Sequence, residues 1–202
     1  ALPNLKKKVQ HRKSISYNDV SAFIKTVSNS SAGLSTKLGL EFLILTATRS
    51  GEVRNARWDE VSGSLWTIPA ERMKAGVAHR VPLPSRCMEI LEEAKSISLG
   101  SDYIFYGYKK DKPLSENTFN KLIKELGFDI HTHGFRTSFK TWTQEQTNYP
   151  REVAEKQLAH LLSDKAEAAY ARSELIEKRQ AMLEAWNSYL EESKAKVLSI
   201  RV

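Results

Sequence analysis

The stretch from about Ser35 to Ala47 carries Leu38, Leu40, Phe42, Leu43, Ile44 and Leu45, apolar on nearly every side of a helical turn. A helix without a polar face has to be buried, so the rest of the chain must supply what surrounds it. The segment from Ser16 to about Ser28 offers one such layer, with Val20, Phe23, Ile24 and Val27 on one face and Ser16 as its cap. Further helical patterns run over residues 84–98 (Met88, Ile90, Leu91, Ala94) and from Ser115 to Gly127 (Phe119, Leu122, Ile123, Leu126). Another starts behind Thr132 as N-cap (Phe135, Phe139, Trp142), and one runs from Pro150 to near His160 (Val153, Leu158, Leu161). A small-residue segment covers Ala166 to Ala171, and an amphipathic helix covers Glu174 to Glu192. Strand character is confined to Leu65–Pro69 and Arg80–Leu83, around a turn at Lys74–Val77.

Charge narrows the partners. Thirty-one basic against 24 acidic side chains leave a net +7, which favours a polyanion, either nucleic acid or an anionic membrane surface. No apolar run is long enough to span a bilayer and no signal peptide is visible, so nothing points to a membrane protein. The single cysteine, Cys87, excludes an internal disulfide and a thiolate metal cluster and fits a reducing cytoplasm. Residues 1–14 carry Lys6, Lys7, Lys8, Arg12 and Lys13 and read as a basic linker or arm, either solvated or lying along a phosphate backbone. The abrupt opening at Ala1-Leu2-Pro3 reads as a piece of a longer chain.

Within this frame certain cations are placed for chemistry. His133 and Arg136 stand three residues apart near a helix N-terminus, where an imidazole, a guanidinium and the helix dipole together suit an oxyanion. The plainer alternative pairs Arg136 with an acidic neighbour. Arg49 follows the buried helix directly, where a fixed cation is costly unless something negative meets it. Glu52 is either its local ion-pair partner or the residue that orients it toward an external anion, and Ser50 can cap a short helix through about Ala56. Lys74 projects from the hairpin, where a lysine is often only solubilising. Arg72, Lys109 and Lys110 are alternative cations. His79, His131, Tyr149 and Tyr189 are read as structural.

The segments Thr46-Ala47-Thr48-Arg49-Ser50-Gly51-Glu52, His133-Gly134-Phe135-Arg136, Leu158-Ala159-His160 and Ala169-Tyr170-Ala171-Arg172-Ser173 resemble the motif boxes of tyrosine recombinases. The resemblance is to the integrases of prophages and genomic islands. It extends to the stretch from Ile68 through Arg72-Met73-Lys74 to Leu83, and to Glu177-Lys178-Arg179 through Trp186. It implies a mainly α fold with a small antiparallel β-sheet, of the α+β class. It also implies a catalytic domain over residues 15–192 without the usual N-terminal DNA-binding domains. Residues 193–202 read as a tail, either disordered or docked on another subunit. The site the resemblance implies is Arg49, Lys74, His133, Arg136 and His160, with Tyr170 as nucleophile and Glu52 orienting Arg49.

The chemistry fits those residue types. Cutting and rejoining DNA without an energy cofactor needs an intermediate that keeps the phosphodiester energy, which a tyrosine ester of the 3′-phosphate does. Paired arginines suit the charge of a pentavalent transition state. Lys74 can protonate the leaving 5′-oxygen, which an arginine cannot readily do. Both histidines can donate to the phosphate, and His133 is by analogy a candidate base for Tyr170. No carboxylate pair accompanies these residues to hold two metal ions, which argues against a metal nuclease, and no metal or cofactor is expected. The expected setting is double-stranded attachment-site DNA in the cytoplasm of a bacterial host. The expected assembly is a homotetramer on DNA and a monomer when free, with DNA-bending and excision accessory proteins as further partners. The competing readings are an inactive DNA-binding integrase remnant and a strand transferase of the type IB topoisomerase kind.

Overall fold

In the computed structural model, residues 13–107, 111–160 and 174–199 are described, with side chains up to residue 193. The apolar stretch forms α2 (Leu34–Thr46), whose Leu40, Phe42 and Leu43 are wholly shielded from solvent. The helices packed most closely against it are α1 (Tyr17–Ser28), α3 (Ser50–Arg54), α4 (Ser85–Ile97), α5 (Thr118–Glu125) and α8 (Ile176–Ser199). Gly39 lets α5 and the loop beyond α4 approach closely, since a Cβ there would stand 3.1 Å from Phe119 and 3.2 Å from Phe105. α6 (Thr132–Gln146) lies against α1 and α7 (Arg151–Gln157), and its Trp142 meets Trp186 of α8 at a 4.9 Å ring separation. The indole of Trp186 donates to the Ile44 carbonyl at 3.1 Å, and Ser21 of α1 donates to the Leu190 carbonyl at 2.7 Å, so α8 is held to both α2 and α1.

The sheet is small and antiparallel, in the order β1 (Val61–Ser62), β2 (Leu65–Ile68), β3 (His79–Pro82). Trp66 faces Val81 and Ile68 faces His79 across the β2–β3 pair. Trp66, Ile68 and Val81 point inward, and the sheet packs on α8 through β3. Between β2 and β3 the chain makes a 3-10 turn at Ala70–Arg72, tucks Met73 into the core and leaves Lys74 exposed. The mainly α architecture with one small antiparallel sheet agrees with the expected fold class.

Several boundaries differ from the sequence reading. Thr132 is the first residue of α6 rather than its cap. His131 holds the cap position in extended backbone, and the Thr132 N–H donates to Asn120 Oδ1 of α5 at 3.1 Å. Arg49, not Ser50, occupies the cap position of α3, which ends at Arg54. α5 starts at Thr118 instead of Ser115, because Ser115 spends its hydroxyl on the Thr118 hydroxyl, 2.7 Å away. α7 stops at Gln157, short of His160, and α8 continues through the expected tail boundary to Ser199. Gly127, at φ 84°, ends the α5 turn as expected, with Phe128 N–H donating to the Ile123 carbonyl at 3.1 Å. Leu161, the Ala166–Ala171 segment with Tyr170, and Lys6, Lys7, Lys8, Arg12, Lys109 and Lys110 lie outside the described residues.

Candidate active site

Arg136 sits where two helices end. Ala47 closes α2 in left-handed backbone at φ 50°, and Ala159 follows α7 at φ 47°. Both turns leave carbonyls without helical partners, and Arg136 takes one from each: Nη1 donates to Ala47 O at 2.5 Å and Nη2 to Leu158 O at 2.6 Å. The negative ends of α2 and α7 therefore hold this guanidinium. It is 4% exposed, and no carboxylate among the described residues forms an ion pair with it. Burial, then the nearby Arg49, lowers its pKa to about 10, so it stays charged at neutral pH. Its Nε has no hydrogen-bond partner among the described residues.

Arg49 is fixed locally. Glu52, buried, accepts from the Arg49 backbone N–H at 2.8 Å and from Nη1 at 2.8 Å, and Nη2 lies 3.4 Å from the Ala159 carbonyl. The ion pair offered as the plain alternative is thus present, and the same contacts fix the direction of the guanidinium.

His160 follows the left-handed Ala159, a turn that brings its N–H to the Glu155 carbonyl at 3.0 Å and its ring back over the Glu155 side chain. Nδ1 lies 2.6 Å from Glu155 Oε2, and Nε2 lies 3.3 Å from Arg136 Nη2. Burial lowers the His160 pKa, against the pull of Glu155 and with help from Arg136, which favours the neutral ring. For Glu155, burial alone would raise the pKa. Hydrogen bonds from Lys140 and His160 outweigh it and hold the carboxyl below its usual range. Lys140 Nζ is 2.6 Å from Glu155 Oε1, and Arg151 Nε is 3.7 Å from the same oxygen.

Two adjoining hollows collect these groups. One, of about 310 Å3, is lined by Arg49, Arg72, Lys74, His133 and Arg136 among others. The other, of about 530 Å3, is lined by Arg49, Lys74, Lys140, Arg151, Glu155 and His160 among others. Arg49 and Lys74 border both. Of the expected set, Arg49, Lys74, His133, Arg136 and His160 therefore meet around one recess. Arg72 is already engaged with Glu60 and with the Glu52 carbonyl, whereas nothing among the described residues pairs with Lys74, which makes Lys74 the available hairpin cation. Lys13 lies apart from the recess and pairs with Asp129. Among the described residues, no group of three or more His, Cys, Asp or Glu side chains is arranged to hold a metal ion.

Residues 13–175 match the model of the phage integrase family. The chain belongs to that family. It is 34% identical over 178 residues to the prophage integrase IntA of Escherichia coli K12, an alignment covering 86% of this chain and 43% of that protein. With the integrase of Enterobacteria phage P4 it shares 34% over 187 residues, covering 83% and 43%. A third relative, the protein IntB of Escherichia coli K12, is 30% identical and covered to 53%, so this chain spans about half the length of such relatives. In fold it is similar to the catalytic core of lambda integrase, with a TM-score of 0.56 at 20% identity, covering 77% of this chain and 95% of that one. The integrase of mycobacterium phage Brujita gives 0.65 at 16% identity, covering 91% and 60%.

In this integrase-family chain several groups around the recess carry no sequence signal. Glu155, which Lys140 of α6 also holds, meets His160 only because of the Ala159 turn. Gln157, wholly buried, donates to the Thr46 carbonyl at 2.7 Å and accepts from Arg179 Nε at 3.0 Å. Its own carbonyl lies 3.1 Å from His79 Nε2. That residue joins α2, β3, α7 and α8 directly behind the site, and His79, read as structural, is part of this brace. No described helix is long and apolar enough to cross a membrane.

Proposed function

We propose that this chain is the strand-cutting and strand-joining domain of a site-specific DNA integrase, acting on double-stranded attachment sites during integration or excision of a mobile element. The observation that carries this reading is Arg136: a buried, charged guanidinium without a paired carboxylate among the described residues, beside Arg49, Lys74, His133 and His160 in one recess. Such a cluster repels itself until a phosphodiester enters. Tyr170 attacks the phosphorus through its phenolic oxygen. The new bond is a 3′-phosphotyrosine ester, and the P–O5′ bond breaks. The phenolic proton passes to a base, with His133 the candidate, while Lys74 supplies the proton that the departing 5′-oxygen takes. Arg49, held by Glu52, and Arg136 bear the charge of the pentavalent transition state. Attack by a free 5′-hydroxyl on the ester reverses the step and rejoins a strand.

Two duplexes exchanging four strands need four such sites, so the working form is a homotetramer on DNA, assembled from free monomers. A lambda integrase tetramer bound to a Holliday junction is a solved relative in fold, at 21% identity and a TM-score of 0.59. The basic residues Lys6, Lys7, Lys8 and Arg12 lie along the DNA backbone, the tail from residue 193 docks on a neighbouring subunit, and DNA-bending and excision proteins act with the assembly.

The test is incubation with a nicked suicide substrate followed by denaturing electrophoresis. A protein–DNA adduct is expected, in chelator as well as in magnesium, and Tyr170→Phe abolishes it. Binding without any adduct from the wild-type chain would favour a non-catalytic DNA-binding domain, and an adduct that survives Tyr170→Phe would remove Tyr170 as nucleophile.

A further inference from the structure

His160 lies between an obligate donor and an obligate acceptor. The guanidinium of Arg136 can only donate, so the His160 Nε2 it faces at 3.3 Å has to accept. The Glu155 carboxylate can only accept, so the Nδ1 it meets at 2.6 Å has to carry the proton. Glu155 is itself 4% exposed and fixed from its other oxygen by Lys140 at 2.6 Å, so it cannot swing away without leaving a lysine unpaired.

We propose that Glu155 is a positioning residue of this site. It locks His160 as the Nδ1–H tautomer and aims a basic Nε2 into the recess, where that atom takes up a proton when an oxyanion displaces it from Arg136. The inference rests on reading the recess as a phosphodiester site. An incoming phosphate oxygen needs donors, and an Nε2 lone pair facing it would repel it. Protonation of Nε2 from solvent turns that atom into a donor, and no bond to phosphorus is made or broken in the event. The resulting imidazolium is shielded on its far side by the Glu155 carboxylate. Among the described residues, the other charges facing the ring or bordering its hollow are Arg136 and Lys140 from α6, Arg151 from α7, Arg49 at the start of α3 and Lys74 from the hairpin. All are cations, so the bound anion and Glu155 together are what make the protonated ring tolerable.

Nothing assigned from the family motifs includes this carboxylate. Its position resembles that of the outer carboxylates behind metal-bound histidines elsewhere, whose loss costs about 10–100-fold in metal affinity or activity.

The experiment is long-range 1H–15N NMR of the His160 ring in the whole 202-residue chain, with inorganic sulfate as a non-titrating probe of the recess. The wild-type protein at neutral pH is expected to show the Nδ1–H tautomer, and saturating sulfate to convert the ring to imidazolium. Glu155→Gln is expected to mix the tautomers. On nicked DNA it should slow adduct formation about tenfold or more and move the alkaline limb of the rate profile to lower pH, with DNA affinity changed far less than rate. A ring that stays neutral at sulfate saturation, or a Glu155→Gln variant with unchanged tautomer and unchanged pH limb, overturns the proposal. Should Glu155→Gln fail to fold, the wild-type sulfate titration decides alone. Absence of any wild-type adduct, with the NMR result intact, would strike the strand-transfer reading and leave the Glu155–His160 relationship standing.

Discussion

Arg136 donates to the carbonyl of Ala47 across 2.5 Å, and so ties the start of α6 to the very end of α2. The same side chain closes the end of α7 through Leu158 O, so its planar fork serves two helix termini, and Nη2 also faces His160 Nε2 at 3.3 Å. A lysine has one point of attachment and cannot span both carbonyls. Arg136→Lys should therefore lower the adduct-forming rate on nicked DNA by on the order of 10²–10³. It should also reduce unfolding free energy by about 1–3 kcal/mol, since a buried carbonyl loses its donor. Single-turnover gels and urea melts measure the two effects separately. A variant with unchanged stability would show that the helix ends do not depend on the guanidinium.

The free protein holds Arg136 buried beside Arg49, with burial and Arg49 both depressing its pKa. An anion that binds there stabilises the fold by mass action. Sulfate at about 100 times its dissociation constant should add ~2.7 kcal/mol, seen as a rise in melting temperature that saturates with concentration. Arg49→Gln should abolish most of that rise, whereas a general salt effect would persist in the variant. A melting temperature that climbs equally in both would count against a built oxyanion site.

Gly134 owes its identity to a neighbour far away in sequence. A Cβ there would stand 2.7 Å from the Lys13 carbonyl oxygen and 2.8 Å from the Ser14 Cα, and both atoms belong to backbone lying across the start of α6. Intrinsic helix preference alone would make Gly134→Ala stabilising by ~1 kcal/mol. Displacing that backbone should reverse the sign and cost about 1–3 kcal/mol. In a chain lacking residues 1–14 the same substitution should turn stabilising again. Urea denaturation of the four proteins tests the sign change directly.

What is local in this fold is legible in the chain. α2 announces itself because an apolar residue stands on nearly every side, and Arg49 with Glu52, or His133 with Arg136, meet through three-residue spacing on one helical turn. What escapes is what a turn or a distant element decides. Glu155 reaches His160 through an alanine in left-handed backbone, a conformation usually marked by glycine and here by nothing. Thr132 looks like a cap because it is small and polar, yet the capping oxygen comes from Asn120 on another helix. Lys13 and Ser14 look like solvated linker and do keep exposed side chains, yet their backbone lies against the start of α6, where Gly134 has no Cβ and the His131 N–H meets the Lys13 carbonyl.

The brace behind the site should fail in acid. His79 donates from Nε2 to the Gln157 carbonyl at 3.1 Å and is neutral in the folded protein. Burial, then Arg179, lowers its pKa to about 3 from an ordinary value of 6.5. Because the folded value lies below the unfolded one, the unfolded chain binds the proton first as pH falls. The contribution of His79 is therefore complete above about pH 6.5 and is lost progressively between there and about pH 3. One proton gives a slope of at most ~1.4 kcal/mol per pH unit. His79→Gln, whose amide can still donate to the carbonyl but does not titrate, should be less stable than wild type at pH 7 and should flatten this part of the stability curve. Unfolding free energy measured by urea titration every half unit from pH 7 to 4 reads the slope. Parallel curves for the two proteins would mean that some other group, not this buried imidazole, makes the junction of α2, β3, α7 and α8 sensitive to acid.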